Sequence, residues 1–111
     1  MRSTEKYNVE ILETAQNDII EISLYIGEQL KNPTAAENLV DKIYDMAASL
    51  ADFPHSHALY YPIDKEKRLK REYRKIPIDN YLLFYHVNEK TKSVIVSRVI
   101  YAKRNISAQF K

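Results

Sequence analysis

Apolar and polar positions alternate along this chain with two different periods, and the changes of period divide it into elements. Residues 6–13, KYNVEILE, run with a period of two. Tyr7, Val9 and Ile11 share one side while Asn8, Glu10 and Leu12 share the other, which predicts a short strand with one mostly polar face. Thr14 offers an N-cap, and from Ala15 the period lengthens. Ala15, Ile19, Ile22, Ile26 and Leu30 recur at spacings of three and four, the buried stripe of a helix. Gly27, the single glycine of the chain, falls inside that helix, costs it about 1 kcal/mol relative to Ala, and is expected to mark a close helix–helix approach.

A second helical stripe follows in Ala36, Leu39, Val40, Ile43, Ala47 and Leu50, bounded by Pro54. It starts either at Asn32-Pro33 or at a Thr34/Glu37 capping box. So short a connection predicts an antiparallel helical hairpin, with Asp18, Glu21, Glu28, Asp41 and Asp45 on its outer faces. Residues 54–67 show no clear period and read as a surface loop. Residues 68–78, RLKREYRKIPI, read as a charged strand whose Pro77 suits an edge or a bulge. Residues 81–87 and 93–101 then form a hairpin over NEKTK. With Val87 opposite Val94, Leu83 faces Arg98. Tyr81, Leu83, Tyr85, Val87, Val94, Val96, Arg98 and Ile100 then share one face; Leu82, Phe84, His86, Ile95, Ser97, Val99 and Tyr101 share the other. The order is β-α-α-β-β-β: a single α+β domain over residues 1–111, with an antiparallel sheet packed on a helical hairpin.

Both faces of that terminal hairpin are apolar, and the helices can cover only one. Leu82, Phe84, Val99 and Tyr101 on the second face form either a docking surface or a patch closed by the C-terminal segment NISAQF. Charge sharpens the choice. Residues 1–64 hold 4 Lys/Arg against 11 Asp/Glu, whereas residues 65–111 hold 13 against 4, with seven cations between Lys65 and Lys75. That asymmetry points to an anionic partner for the C-terminal half.

The chain has no cysteine, which excludes disulfides, thiolate zinc sites and cysteine nucleophiles. No apolar run approaches the roughly 20 residues of a membrane span, so a cytoplasmic protein is expected. The residues show no phosphate-binding loop, nucleophile elbow or dinucleotide fingerprint, and no cofactor is expected. His55 and His57 lack a third ligand, so no metal is expected either. Arg74, Arg98 and Arg104 are candidates for phosphate, although a mid-strand Arg98 more naturally pairs with a helix carboxylate. His86 is the one histidine in a regular element: a general base if accessible, structural if packed. Tyr60, Tyr61, Tyr73, Tyr81 and Tyr85 either stack on bases or pack.

LADFP at residues 50–54, YRKIPIDNYLLFYHV at 73–87 and SRVIYAKRN at 97–105 together resemble the RelE/ParE superfamily of toxins, over about residues 6–110. These are the growth-inhibiting halves of type II toxin–antitoxin modules. The resemblance implies a cognate antitoxin whose segment masks a basic, apolar sheet face. Leu82, Phe84, Val99 and Phe110 are the residues expected beneath it. It also implies one of two targets. RelE-like members cleave mRNA on the ribosome without a metal, and ParE-like members inhibit DNA gyrase. For cleavage the expected catalytic residues are Arg104, His86 and Tyr101, with Arg74, Lys75, Arg98 and Lys103 binding the nucleic acid or target. Leu82 and Phe110 stand where RelE itself has an arginine and a tyrosine, leaving His86, Tyr101 and Glu72 as the groups available to replace them. A member that has lost its toxicity and only binds its partner is the third reading.

Overall fold

The computed structural model describes residues 6–61 and 71–104. Strand β1 (Asn8–Ile11) leads into helix α1 (Glu13–Leu24), a π-helical turn (Tyr25–Gln29) and helix α2 (Pro33–Ser49). Strands β2 (Arg74–Ile78), β3 (Tyr81–Asn88) and β4 (Ser93–Tyr101) follow. The strands form one sheet in the order β1-β4-β3-β2. The three C-terminal strands are antiparallel, but β1 lies parallel to β4, so the sheet is mixed. The intervening helical hairpin carries the chain between β1 and the rest, the kind of long crossover a parallel neighbour requires.

The helices cover one face. Ala15 and Ile19 of α1 and Leu39, Ile43, Ala47 and Leu50 from α2 and its end pack on Leu83, Tyr85, Val94 and Val96. Each such large side chain contributes about 1.5–3 kcal/mol on burial. Asn32 settles the start of α2: its Oδ1 accepts the Ala35 N–H at 3.1 Å, with Pro33 in the first turn. Ile22 and Ile26 keep to the expected stripe of α1, whereas Leu30 leaves it and is exposed. The reason is the π-helical turn, where the Leu30 N–H bonds back five residues to the Tyr25 carbonyl. One extra residue in the turn rotates everything after it off the 3.6-residue stripe. Gly27 does lie against α2, but a methyl group there would sit 3.7 Å from Ala36 Cβ, an ordinary contact, so the approach does not demand glycine.

Thr14 is not the N-cap. Helix α1 begins at Glu13, two residues earlier than expected, with Leu12 in the N-cap position, and it runs along the edge that β1 leaves uncovered where β4 continues five residues past Val96, the last partner of β1. There the Leu12 N–H bonds the Val96 carbonyl, the Thr14 hydroxyl donates to the Ser97 carbonyl at 2.8 Å, and the Val99 N–H donates to Asp18 at 2.9 Å. Asp18 therefore belongs to this seam and not to the outer helical surface. Its backbone-capping role is what an otherwise open strand edge requires.

The far edge is closed by other means. Pro77 is exposed on β2, an edge strand as expected, and brings no N–H. The Lys75 N–H bonds the Ala58 carbonyl and the Tyr60 N–H bonds the Tyr73 carbonyl, so part of the expected loop meets β2 through a single antiparallel bridge, Leu59 opposite Arg74. β2 itself starts at Arg74, later than expected, and residues 68–70 lie outside the described segments.

Candidate functional site

The β3–β4 hairpin carries most of the predicted site residues, and a bulge decides where they point. The expected register holds from Val87 opposite Val94 to Tyr85 opposite Val96. It then slips: Phe84 pairs with Arg98, Leu83 with Val99 and Leu82 with Ile100, leaving Ser97 as the extra residue. The buried Ser97 hydroxyl donates to the Phe84 carbonyl at 3.2 Å. Beyond a bulge every side chain changes face. Val99, expected on the second face, is in the core beneath the helices, and Ile100 takes its place beside Phe84.

Arg98 thereby leaves the core face and meets Asp18, with Nε 2.7 Å from Oδ2 and Nη2 3.1 Å from Oδ1. Both side chains are largely buried, at 23% and 15% exposure. The hydrogen bond to Asp18 holds the guanidinium firmly protonated, with the nearby Glu21 charge adding to it. This is the helix-carboxylate pair that a mid-strand arginine predicts. It fixes the arginine within the fold, away from any phosphate.

On the second face, Phe84 and Ile100 are buried, with Tyr60, Tyr73 and Leu82 packed against them. Tyr60 meets Phe84 edge-on at 5.2 Å between ring centres. The apolar surface expected to receive an antitoxin is thus closed at Phe84 by side chains from two irregular segments, with Leu82 partly exposed. Phe110 and NISAQF lie outside the described residues.

His86 shares this covered face. It is 7% exposed, edge-on to Tyr73 at 5.5 Å, and its Nε2 lies 2.9 Å from Arg71 Nη1. A guanidinium only donates, so Nε2 accepts and the proton of the neutral ring sits on Nδ1. That Nδ1 is buried and has no hydrogen-bond partner among the described residues. Burial, and then the Arg71 charge, push the imidazole below its usual value. Arg71 was not singled out by the sequence, in which it is one of seven cations between Lys65 and Lys75.

Arg74 is also engaged. Its Nη1 donates to the His57 carbonyl at 2.6 Å and the His55 carbonyl at 3.3 Å, pinning the loop after α2. Tyr85, fully buried, donates its hydroxyl to the Pro54 carbonyl at 2.9 Å, and burial raises its pKa. Lys75 sits 5.9 Å above the Tyr60 ring. His55 joins a cluster rather than a metal: Glu89 accepts from Tyr7 at 2.7 Å and pairs with both His55 and Lys92. Among the described residues, no group of three or more His, Asp or Glu is placed to hold a metal ion.

The remaining candidates gather at the end of the sheet where β3 begins and β4 finishes. Tyr101 pairs with Tyr81, their rings 5.7 Å apart, and the Arg104 N–H bonds the Tyr101 carbonyl in the turn that follows. Tyr101, Lys103 and Arg104 are exposed. Tyr81 is held above its usual pKa by burial and by the phenols of Tyr25 and Tyr101. His86 is not at this end. It lies five residues along β3 from Tyr81, about 17 Å at roughly 3.4 Å per residue. The three expected catalytic residues are therefore split: Tyr101 and Arg104 adjoin, and His86 is apart and buried. Glu72 is exposed.

The comparisons with known proteins agree with this architecture. Among curated proteins none matches the sequence. Solved structures share the fold at low identity. A protein of the chromosomal ParDE toxin–antitoxin system of P. aeruginosa superposes with a TM-score of 0.67 at 14% identity, over 88% of this chain and 98% of its own. One from the RelBE2 toxin–antitoxin complex of Mycobacterium tuberculosis gives 0.60 at 15%, covering 95% and 99%. One from the archaeal RelE–RelB complex of Pyrococcus horikoshii gives 0.58 at 14%, covering 89% and 98%. The family model described as ParE toxin of type II toxin–antitoxin system, parDE, matches residues 9–106. The chain belongs to the ParE toxin family of type II toxin–antitoxin systems.

Proposed function

We propose that this toxin arrests growth by binding DNA gyrase, without a catalytic step of its own. The observation that carries this reading is the dispersal of the ionisable groups that cleavage would need around one phosphate. Metal-free RNA cleavage requires a base for the 2′-hydroxyl, cations on the phosphate and an acid for the leaving oxygen, all within hydrogen-bond reach. Here His86 is buried against Arg71, Arg98 is held by Asp18, and Arg74 is held by loop carbonyls. Tyr101, Lys103 and Arg104 remain at the surface, a set with the tyrosine and arginine chemistry of protein-binding hot spots. A cognate antitoxin is the second partner of this reading, since the structural relatives come from toxin–antitoxin complexes. The exposed cations of the sheet end suit an acidic, folding-on-binding segment.

Expression without antitoxin, followed by pulse labelling, tests the proposal. Loss of DNA synthesis before translation, together with inhibition of gyrase supercoiling by the purified chain, is expected. Early arrest of translation with cut mRNA would overturn the reading in favour of ribosome-dependent cleavage. Normal growth would overturn it in favour of a non-toxic member.

A further inference from the structure

Between the last turns of α2 and the end of β2 lies a cleft of about 420 Å³. That is within the range of small-molecule sites, roughly 300–1,000 Å³. Asp45, Met46 and Ser49 line it from α2, on one helical face, and Pro77 and Ile78 line it from β2. Lys42 and Asp79 bridge the two walls, with the Lys42 ammonium donating to both Asp79 oxygens at 3.1 and 3.3 Å. Asp79 itself holds a φ of 53°, the left-handed conformation that aspartate tolerates. The carbonyl of the next residue, Asn80, accepts the Ala102 N–H at 2.9 Å. The turn beside the cleft is therefore held from two sides, by α2 and by the end of β4.

The lining has two chemistries. Met46, Pro77 and Ile78 are apolar, and a thioether is a favourable neighbour for an aromatic ring. The polar groups are acceptors. The Ser49 hydroxyl spends its proton on the Met46 carbonyl at 2.6 Å, which leaves the oxygen free only to accept. Asp45 is exposed and has no hydrogen bond or ion pair among the described residues. Lys42 is the one cation of the lining, and Asp79 already engages it. Two carboxylates against one lysine leave the cleft negative, with the uncompensated charge on Asp45. A ligand that fits brings hydrogen-bond donors, a positive charge and an apolar body.

We propose that the cleft between α2 and β2 binds a small aryl-alkyl amine, its ammonium on Asp45 and Ser49 and its ring against Met46, Pro77 and Ile78. This does not rest on the gyrase reading, because none of these residues belongs to the exposed tyrosine and cations of the sheet end.

The probe is phenethylamine, titrated into the full chain and followed by the backbone amide shifts of Met46, Ile78 and Asp79. Saturable shifts are expected, with a dissociation constant on the order of 1 mM, that weaken with rising salt. Asp45→Asn should weaken binding about tenfold, the loss of a charged hydrogen-bond acceptor. Asp45 is exposed, so the thermal transition of that variant should stay at the wild-type temperature. Asp41→Asn, an exposed carboxylate one turn away that does not line the cleft, should leave binding within about twofold. The uncharged analogue 2-phenylethanol and the anion phenylacetate should not bind. No saturation by phenethylamine, equal binding of 2-phenylethanol, or equal losses in Asp45→Asn and Asp41→Asn would each overturn the proposal. Binding of an acetylated lysine amide with none of phenethylamine would overturn it in favour of a polypeptide's lysine.

Discussion

The two faces of the β3–β4 hairpin are equally apolar in sequence, yet they are covered in different ways. The helix-facing side meets two regular elements whose stripes repeat with a helical period, and its core is continuous from Ala15 to Val99. Among the described residues of the opposite side, Phe84 and Ile100 are fully buried, under Tyr60, Tyr73 and Leu82. Tyr60 and Tyr73 lie outside the named helices and strands, in segments held to the sheet by backbone bonds at Ala58 and Tyr60. A face covered by aromatic side chains from loops keeps polar atoms among its apolar ones. His86, whose Nδ1 has no hydrogen-bond partner among the described residues, is the result.

The contrast is testable first where burial is deepest. Leu83→Ala on the helix-facing side should cost about 3–4 kcal/mol, a transfer loss plus a cavity, read from denaturant unfolding. Asp18→Ala at the seam removes one partner of a largely buried ion pair and the acceptor of the Val99 N–H. A loss of about 3 kcal/mol is expected, with Asp18→Asn retaining part of it. Tyr60→Ala on the opposite side should cost less, about 1–2 kcal/mol, while raising the binding of an apolar dye as Phe84 is uncovered. If Tyr60→Ala proved as costly as Leu83→Ala, the two faces would be energetically alike and the distinction would fail.

The smallest effect concerns pH. The folded-state pKa of His86 is lowered, so between that value and about 6.5 the unfolded chain carries the proton that the folded chain refuses. Stability from this group is full above that window and falls as the solution is acidified through it. His86→Leu should flatten that part of the stability–pH curve, leaving an acid limb to groups such as Glu89. The pKa of Glu89 is lowered chiefly by the Tyr7 hydrogen bond, and its contribution is lost on protonation at lower pH.

Much of this was legible in the residues. Element order, the stripe of α1 as far as Ile26, the stripe of α2, the edge position of Pro77 and the turn end of the hairpin all follow from local period and punctuation, whereas the choice between Asn32-Pro33 and Thr34/Glu37 as the start of α2 does not. The Arg98 ion pair was legible too, because a mid-strand arginine needs a carboxylate. What the residues did not show was set by geometry beyond the local period. A single inserted Ser97 exchanged Val99 and Ile100 between faces, and a π turn moved Leu30 to solvent. Nothing in KREYRK distinguishes the arginine that reaches His86 from its neighbours. The cover over Phe84 depends on Tyr60 and Tyr73 meeting across a long connection, which no periodicity encodes.

The central claim is that His86 is a packed structural residue and that inhibition needs no proton transfer from it. Induction of His86→Phe without antitoxin tests this directly, with growth and DNA synthesis followed beside the wild type. The account predicts arrest equal to wild type, with DNA synthesis lost first. A folded His86→Phe chain that leaves growth untouched would contradict it.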